Sequence, residues 1–547
     1  SWLWSSIALL SGSGNHLYFD AASVITAFVL LGKWWEARAT LHSGAALHDL
    51  ATSRNQMIRL VDGSDITLDS LQIGAEFVVR PGETVATDGI VVTGISDVDT
   101  AMLTGESQPR FMAVGDLILG GSINGDGSLT IRATAIGADT AAAKIVRLVE
   151  EAQGSKAPVQ KMADRIAQFF IPCIIILAIG TLIVRLLIGD QSEEAFTAAV
   201  AILIVSCPCA LGLATPLAVL VGTGKAAQLG IIIRSAAVLE DTRRINHVVL
   251  DKTGTITNGE LYVAEIIAPN DNKELLMGLA AALESRSEHP IARAISSSAS
   301  NALEIKNFKN FPGLGIEGEV AGVYTRVGKA NFFDDMSPEL RAEVEHNAST
   351  HVLVGRGQTA EALILLSDEV RVTAKIAITK LKEMGIKVTL LSGDNKNSCD
   401  RVAKETNISR VISEVLPDAK QTEISRLQAT GDRVAMVGDG INDAPALAKA
   451  DLGIVMGSGS DLAQKSASLI VVNNDLLSVV DGIALSRQTM KTIRVNLFWA
   501  FLYNVLAIPL AMSGVLHPMH ASAAMALSSI FVVSNSLRLR RYVASTS

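Results

Sequence analysis

The sequence predicts a multidomain α-helical membrane protein carrying two polar blocks, the first β-rich and the second α/β. Three observations lead there. Apolar residues make up 49% of the 547, and the mean hydropathy is +0.35. They are gathered into runs of about 20 residues, the length an α-helix needs to cross roughly 30 Å of hydrocarbon. The blocks between the runs carry strand patterns and turn signals, with no internal repeat and no low-complexity segment. At about 150 residues per domain, the length allows three or four domains. With 19% charged residues and 4 cysteines, the chain is not a disordered tail, a collagen or a disulfide scaffold. A net charge of −8 argues against nucleic acid as a partner.

Taken in order, Ser1–Leu10 is a short apolar stretch with no initiator Met and no basic leader. It is expected to be the tail of a helix clipped at its start, not a signal peptide. Ala21–Gly32 continues through Trp34 and Trp35 as a candidate span. The block Arg38–Lys161 alternates in short runs punctuated by Pro81-Gly82, Asp88-Gly89, Gly120-Gly121 and Gly125-Asp126-Gly127, a β-rich pattern. Ile166–Val184 and Ala195–Gly222 are the next candidate spans. The block Lys225–Lys491 mixes strands such as His247–Leu250, Lys387–Leu391 and Arg433–Val437 with helical stretches, and Asp251, Asp394 and Asp439 follow those strands. The carboxyl ends of parallel strands are where α/β sheets place their sites. Leu497–Leu516 and Met519–Leu537 are the last apolar runs, broken at His517-Pro518. Arg487, Lys491, Arg494, Arg538, Arg540 and Arg541 flank this pair, whereas the connectors Gly189–Glu194 and Leu516–His520 carry no Lys or Arg. The asymmetry puts both polar blocks in the cytoplasm.

Asp251-Lys252-Thr253-Gly254-Thr255 follows the apolar strand Val248–Leu250. A carboxylate there can attack a phosphoryl group and form an acyl phosphate. Alone, Asp251 reads equally as a turn or cap residue. Ser392-Gly393-Asp394, Lys420 and Gly438-Asp439-Gly440-Ile441-Asn442-Asp443 come later. Lys420 can supply positive charge to the transferred group. Asp251 and Asp439 can hold Mg²⁺ through hard oxygen ligands, with Asn442 and Asp443 tuning the metal shell.

On Asp-Lys-Thr-Gly-Thr together with Gly-Asp-Gly-Ile-Asn-Asp, the chain resembles the P-type ATPases over essentially its whole length. The resemblance implies a haloacid-dehalogenase-like α/β phosphorylation domain, an inserted α+β nucleotide domain and a β-rich actuator domain. It adds Lys252, Thr253 and Asp394 to the catalytic set and Thr253 to the Mg²⁺ shell. Phosphatases of that fold resemble Asp-x-Asp, where the second Asp is the acid/base. Here that position is Thr253, so the acyl phosphate should persist. Thr104-Gly105-Glu106-Ser107 looks like the family's dephosphorylation loop, in which Glu106 would position water. Read alone it is a hairpin turn. Expected domain limits are 1–40 for the first helices, 41–155 for the actuator and 156–230 for the helices around Cys-Pro-Cys. The phosphorylation domain takes 231–260 and 359–485, the nucleotide domain 261–358, and the last two helices 486–547.

No Gly-x4-Gly-Lys-Ser/Thr motif is present, so this is not a Walker-type ATPase. Ser287-Glu288-His289-Pro290 and Gly313-Leu314-Gly315-Ile316-Glu317-Gly318 lie in the insert. The glycine string lacks a clear strand–helix junction, which argues against dinucleotide binding. The combination resembles the nucleotide domain of heavy-metal-transporting P-type ATPases. By that resemblance Glu284, His289, Gly313, Gly315 and Ile316 line the adenosine pocket, and Gly328 joins them. The family's Gly-Asn is here Gly328-Lys329, a departure from the pattern. Read alone, His289 is a local hydrogen-bonding residue, or a metal ligand lacking a nearby partner.

Cys207-Pro208-Cys209 sits inside the run Ala195–Gly222. On an ideal helix, thiols at i and i+2 point nearly opposite ways, but Pro208 breaks the ladder and lets both face one cavity. Thiolates are soft ligands for Cu(I) or Zn(II). The last two runs offer Tyr503, Asn504, Met525 and Ser529 and no Asp, Glu or Lys between Leu497 and Leu537. Neutral donors suit a monovalent ion, and Met adds soft character. The resemblance is therefore to the Cu(I)-exporting subgroup, with Ag⁺ an alternative cargo. It carries over Cys207, Cys209, Tyr503, Asn504, Met525 and Ser529 as ion ligands. Glu36 and Asp164 are candidate entry residues or plain helix-end charges. Cys173 and Cys399 read as structural. The family usually has two further helices and Cys-x-x-Cys modules before this point, so the chain is expected to be N-terminally truncated. The resemblance implies ATP and Mg²⁺ as cofactors and Cu⁺ or Ag⁺ as cargo. Its implied partners are the lipid bilayer and a cytosolic copper chaperone, its implied state is a monomer, and in a bacterium the location is the cell membrane. The rival readings are a Zn(II)/Cd(II) pump, a membrane-anchored phosphatase without transport, and an inactive binding module.

Overall fold

The computed structural model describes residues 23, 26, 27, 30, 31, 34, 57–101, 109–155, 158–206, 209–270, 272–287, 289–298, 303–311, 313–346, 350–439, 443–457 and 465–544. Contacts divide the chain into two units. One holds residues up to Arg244 with Ser468–Asn473 and Asp481–Ser547, and the other Ile245–Ala467 with Asn474–Val480.

In the first unit, Met57–Ala133 forms two antiparallel sheets. The six-stranded sheet runs Asp65–Thr67, Met57–Leu60, Glu76–Val79, Leu129–Ala133, Gly89–Thr93, Leu117–Ile118, and the three-stranded one Arg110–Met112, Ser96–Asp99, Ile123–Asn124. Alternating side chains bury Phe77, Val91, Val98, Leu129 and Ile131 in one core, as period-2 patterning requires. Asp88 joins this core to the helix Ala141–Gly154. Its Oδ1 accepts from Gly120 N at 2.8 Å and its Oδ2 from Ala141 N at 2.7 Å. The second bond caps an otherwise unpaired helix N–H with a favourable negative charge.

Among the described residues, 4 helical stretches are long and apolar enough to cross a membrane: Pro158–Ile188, Ser192–Gln228, Leu476–Met512 and Pro518–Arg541. Within the run Ala195–Gly222, where a break at Pro208 is expected, the described residues form the helices Ser192–Val205, with Ser206 as its C-cap, and Cys209–Gln228. Cys207 and Pro208 lie outside the described residues. The helix expected to start at Leu497 begins at Leu476, because the polar stretch before Leu497 continues the helix instead of ending it. Small residues bring these helices together. Ala178, Ala201 and Ala511 share one cluster, and Ala210, Ala214 and Ala500 share another with Val532. A Cβ on Gly222 would lie 2.5 Å from Thr489 Oγ1, so only glycine permits that approach. Ser23, Thr26, Ala27, Leu30, Leu31 and Trp34 are helical, in the region expected to be a span.

In the second unit, Leu452–Met456, Val434–Gly438, His247–Asp251, Lys387–Leu391 and Arg410–Ile412 lie side by side in parallel. Val248, Val249 and Leu250 are fully buried. This explains why such strands read as unbroken apolar runs: both faces are covered. Between the first two of these strands in sequence, an antiparallel sheet runs Thr257–Ile267, Thr359–Val370, Thr350–Arg356, Val323–Gly328, Gly315–Val320, Ile305–Phe311. The helix Lys273–Glu284 packs on it through Leu276, Leu279 and Leu283 against Ile316, Val320, Val327 and Ile364. This sheet reaches from Thr257 to Val370, wider than the expected 261–358, because its long outer strands extend back toward the catalytic sheet.

Candidate active site

Asp251 is the last residue of its strand and is buried. Lys420, on the helix Pro417–Ala429, reaches it. Its Nζ donates to Asp251 Oδ1 and to Asp443 Oδ1, both at 2.6 Å. Carboxylate oxygens of Asp251, Asp439 and Asp443 all lie within 4.8 Å of one another. Crowding acids in a buried site disfavours their charged forms. Burial first, then the neighbouring Asp443, pushes the Asp251 carboxyl up to about 7 against the pull of Lys420. Burial and Asp443 likewise push Asp439 up to about 6. One lysine does not neutralise three acids, and a hard divalent cation would complete the balance.

Two glycines make room for this cluster. Gly254 has φ +69°, and a Cβ there would come 1.6 Å from Asp439 Oδ2. A Cβ on Gly438 would come 2.5 Å from Asp443 Oδ2. The loop Lys252–Ile256 departs from helical geometry at Thr253 (φ −73°, ψ 130°), which stands exposed. Lys252 turns the other way, pairs with Asp394 and donates to Ser398 Oγ at 3.3 Å. Glu106, Gly105, Thr104 and Asn442 lie outside the described residues.

The structure adds Asp368 and Arg371 to the residues singled out from sequence. Arg371 Nε donates to Thr255 O at 3.0 Å and its Nη2 to Gly254 O at 2.9 Å. Asp368 accepts from Gly259 N at 3.0 Å and from Thr257 Oγ1 at 2.5 Å. Together they hold the second half of the catalytic loop and the start of the strand that follows it. A sequence signal exists: Asp368 follows the apolar run Ala362–Leu366 near the end of its strand, much as Asp251 and Asp439 follow theirs.

In the insert, Glu284 and Ile316 are buried, and burial pushes the Glu284 carboxyl up to about 7. His289 caps the helix Pro290–Ser296, its Nδ1 accepting from Ile291 N at 3.3 Å. Gly313 adopts φ +81°. Gly315 and Gly328 stand opposite in register, and a Cβ on either would lie within 3 Å of the other's Cα. Their backbones meet where any side chain would intrude. The departure at Lys329 leaves this glycine pair intact.

In the membrane helices, Tyr503 Oη donates to Val205 O at 3.4 Å, bringing it to the C-terminal end of the helix Ser192–Val205. Asn504, Met525 and Ser529 are buried, and Asn504 Oδ1 and Ser206 Oγ have no hydrogen-bond partner among the described residues. A buried orphaned oxygen is costly unless something occupies it. Cys207 and Glu36 lie outside the described residues, as does the side chain of Cys209, whose backbone opens the second helix. Asp164 lies in the helix Pro158–Ile188.

Comparison with known proteins gives consistent matches. A family model for the P-type ATPase actuator domain matches residues 50–150, and one for haloacid dehalogenase-like hydrolases matches residues 245–451. A protein of Mycobacterium tuberculosis named "Probable copper-exporting P-type ATPase V" is 45% identical over 97% of this chain and 71% of its own length. A "Copper-exporting P-type ATPase" of Staphylococcus aureus is 41% identical over 98% of this chain and 69% of its own. A crystal structure of a zinc-transporting PIB-type ATPase in an E2.Pi state aligns with a TM-score of 0.64 at 30% identity, covering 98% of this chain and 89% of that one.

Proposed function

The chain belongs to the P-type ATPases, and from that premise we propose that it exports Cu(I) across a membrane by a cycle of phosphorylation and hydrolysis at Asp251. The observation that carries the phosphoryl-transfer reading is the Lys420 bridge, 2.6 Å to Asp251 and to Asp443, beside the three-carboxylate cluster. Asp251 and Asp439 would hold Mg²⁺, with Thr253 at its edge. The excess buried negative charge and the space kept by Gly254 fit that ion. When bound, it supplies positive charge to the transferring phosphoryl group. Lys420 favours the ionised form of Asp251 against the effect of burial, and an Asp251 oxygen attacks the γ-phosphorus of ATP. The bond from that phosphorus to the β,γ-bridging oxygen breaks and ADP departs. With Thr253 where a phosphatase resembles an acid/base Asp, nothing on the loop activates water, so the acyl phosphate persists until Glu106 positions a water molecule.

The nucleotide would sit in the insert, with Glu284, His289, Gly313, Gly315, Ile316 and Gly328 around adenosine. Cys207, Cys209, Tyr503, Asn504, Met525 and Ser529 would hold the ion, and Glu36 and Asp164 would guide its entry. Two considerations favour Cu(I) over Zn(II). The sequence relatives are named for copper at 41–45% identity, whereas the zinc-transporting structural neighbour is 30% identical. The last two membrane helices also offer neutral donors only, which leave a divalent ion undercompensated in a site of low polarity. Ag(I), a cytosolic copper chaperone as donor and a monomeric state belong to the same reading. The test is formation of acid-stable phosphoenzyme from ATP with each of Cu(I), Ag(I), Zn(II) and Cd(II). Stimulation by Cu(I) and Ag(I) alone is expected, and stimulation by Zn(II) or Cd(II) alone overturns the assignment of the ion.

A further inference from the structure

We infer that the cytoplasmic ends of the last two membrane helices form a binding site for the headgroup of an anionic phospholipid. On the helix Leu476–Met512, Arg487, Lys491, Arg494 and Phe498 follow at i, i+4, i+7 and i+11, a single stripe along one face. At 1.5 Å per residue, Arg494 stands about 6 Å above Phe498 along the axis, roughly the offset between a lipid phosphate and the first acyl carbons. On the helix Pro518–Leu537, Phe531 shares a face with Arg538 seven residues on. The two stripes meet through rings. Phe498 packs edge-on against Trp499 with centroids 5.8 Å apart, and Trp499 against Phe531 at 6.1 Å. All three rings stand exposed, as the aromatic residues of a membrane interface do.

The basic turn Arg538–Arg541 is held in place. Leu539 is buried beneath it, and Tyr542 Oη donates to Asp481 Oδ1 at 3.0 Å. Lys491, Arg494, Arg538 and Arg541 are exposed and have no acidic partner among the described residues. Unpaired cations above outward-facing rings complement a phosphate whose acyl chains lie in hydrocarbon, and the rings give a soluble anion nothing to contact. The inference is independent of which ion the chain transports.

The test uses Trp499 as the reporter. In the 547-residue chain with Trp2, Trp4, Trp34 and Trp35 changed to Phe, Trp499 fluorescence is quenched by brominated phosphatidylglycerol or brominated phosphatidylcholine in bilayers of mixed composition. About five-fold in affinity is expected for each basic residue engaged at the surface. Phosphatidylglycerol should therefore be preferred about five-fold or more, and K491Q/R494Q/R538Q should bring the ratio to about one. Should the triple variant fail to insert, K491Q and R538Q singly should each lower the ratio. A ratio near one in the parent, a preference unchanged by the substitutions, or its loss on adding millimolar inorganic phosphate overturns the inference.

Discussion

Replacing Lys420 by Met removes the cation that favours the ionised form of the attacking carboxylate. The two contacts are 2.6 Å long and buried. At an effective dielectric constant of about 20, one such ion pair contributes about 4 kcal/mol even at 4 Å, about a thousandfold in an ionisation equilibrium. Asp251 already stands at about 7 with Lys420 in place, so at neutral pH about half of it is ionised before any metal binds. Without Lys420 that fraction falls by up to about a thousandfold, less whatever relaxation and water entry return. Phosphoenzyme formation from radiolabelled ATP, measured by rapid acid quench at saturating Mg²⁺, should slow by about 10²–10³-fold at pH 7. Because the defect is protonation of the nucleophile, the variant's rate should climb about tenfold per pH unit from 6 to 8, while the parent levels off above its own midpoint. A rate within threefold of the parent refutes the reasoning, as does a loss that is flat across pH in protein that retains its circular dichroism.

Gly254→Ala should be nearly as damaging, for a steric reason. Its Cβ would meet Asp439 Oδ2 at 1.6 Å, and its φ of +69° suits glycine; about 1–2 kcal/mol of backbone strain adds to the displacement of Asp439. The apparent Mg²⁺ requirement for phosphorylation should rise at least tenfold, while nucleotide binding to the insert should be unchanged. Stability without Mg²⁺ should fall as pH rises. Asp251, Asp439 and Glu284 are raised to about 7, 6 and 7 from 3.8, 3.8 and 4.5. The folded chain thus holds protons that the unfolded chain releases, and the stabilisation present below about pH 4 is lost by about pH 7. Thermal melting should show this decline, Mg²⁺ should reverse part of it near neutrality, and D251N/D439N/E284Q should flatten it. An unchanged slope in that triple variant contradicts the assignment.

The catalytic strands were legible because burial on both faces writes an unbroken apolar run, and a polar residue at its end stands out. Asp251, Asp394 and Asp439 were found on that basis. Asp368 is harder to read, because it lies within a strand of the inserted sheet, two residues before its end, and its partner Arg371 acts on backbone carbonyls, which leave no mark in a sequence. The paired glycines 315 and 328 are likewise a matter of register: each could be named, but their apposition depends on strand pairing. Helix limits failed where polarity was taken for a boundary. Asn496 lies in the polar stretch before Leu497, but it is fully buried. Its Nδ2 donates to Ser536 Oγ at 2.9 Å, and it accepts from Asn535 Nδ2 at 2.8 Å. A helix whose polar groups find partners on a neighbour has no reason to end there. Before Cys207-Pro208 an uncharged run hides the end of a helix at Val205, which hydropathy does not mark.

In the proposed cycle a soft cation bound by Cys207 and Cys209 promotes phosphorylation of Asp251. The most direct measurement compares acid-stable phosphoenzyme formed from ATP and Cu(I) by the parent and by C207S/C209S. Loss of the Cu(I)-dependent signal is predicted, with the nucleotide affinity of the double-serine protein preserved. Undiminished Cu(I)-dependent phosphorylation without the two sulfurs would contradict it.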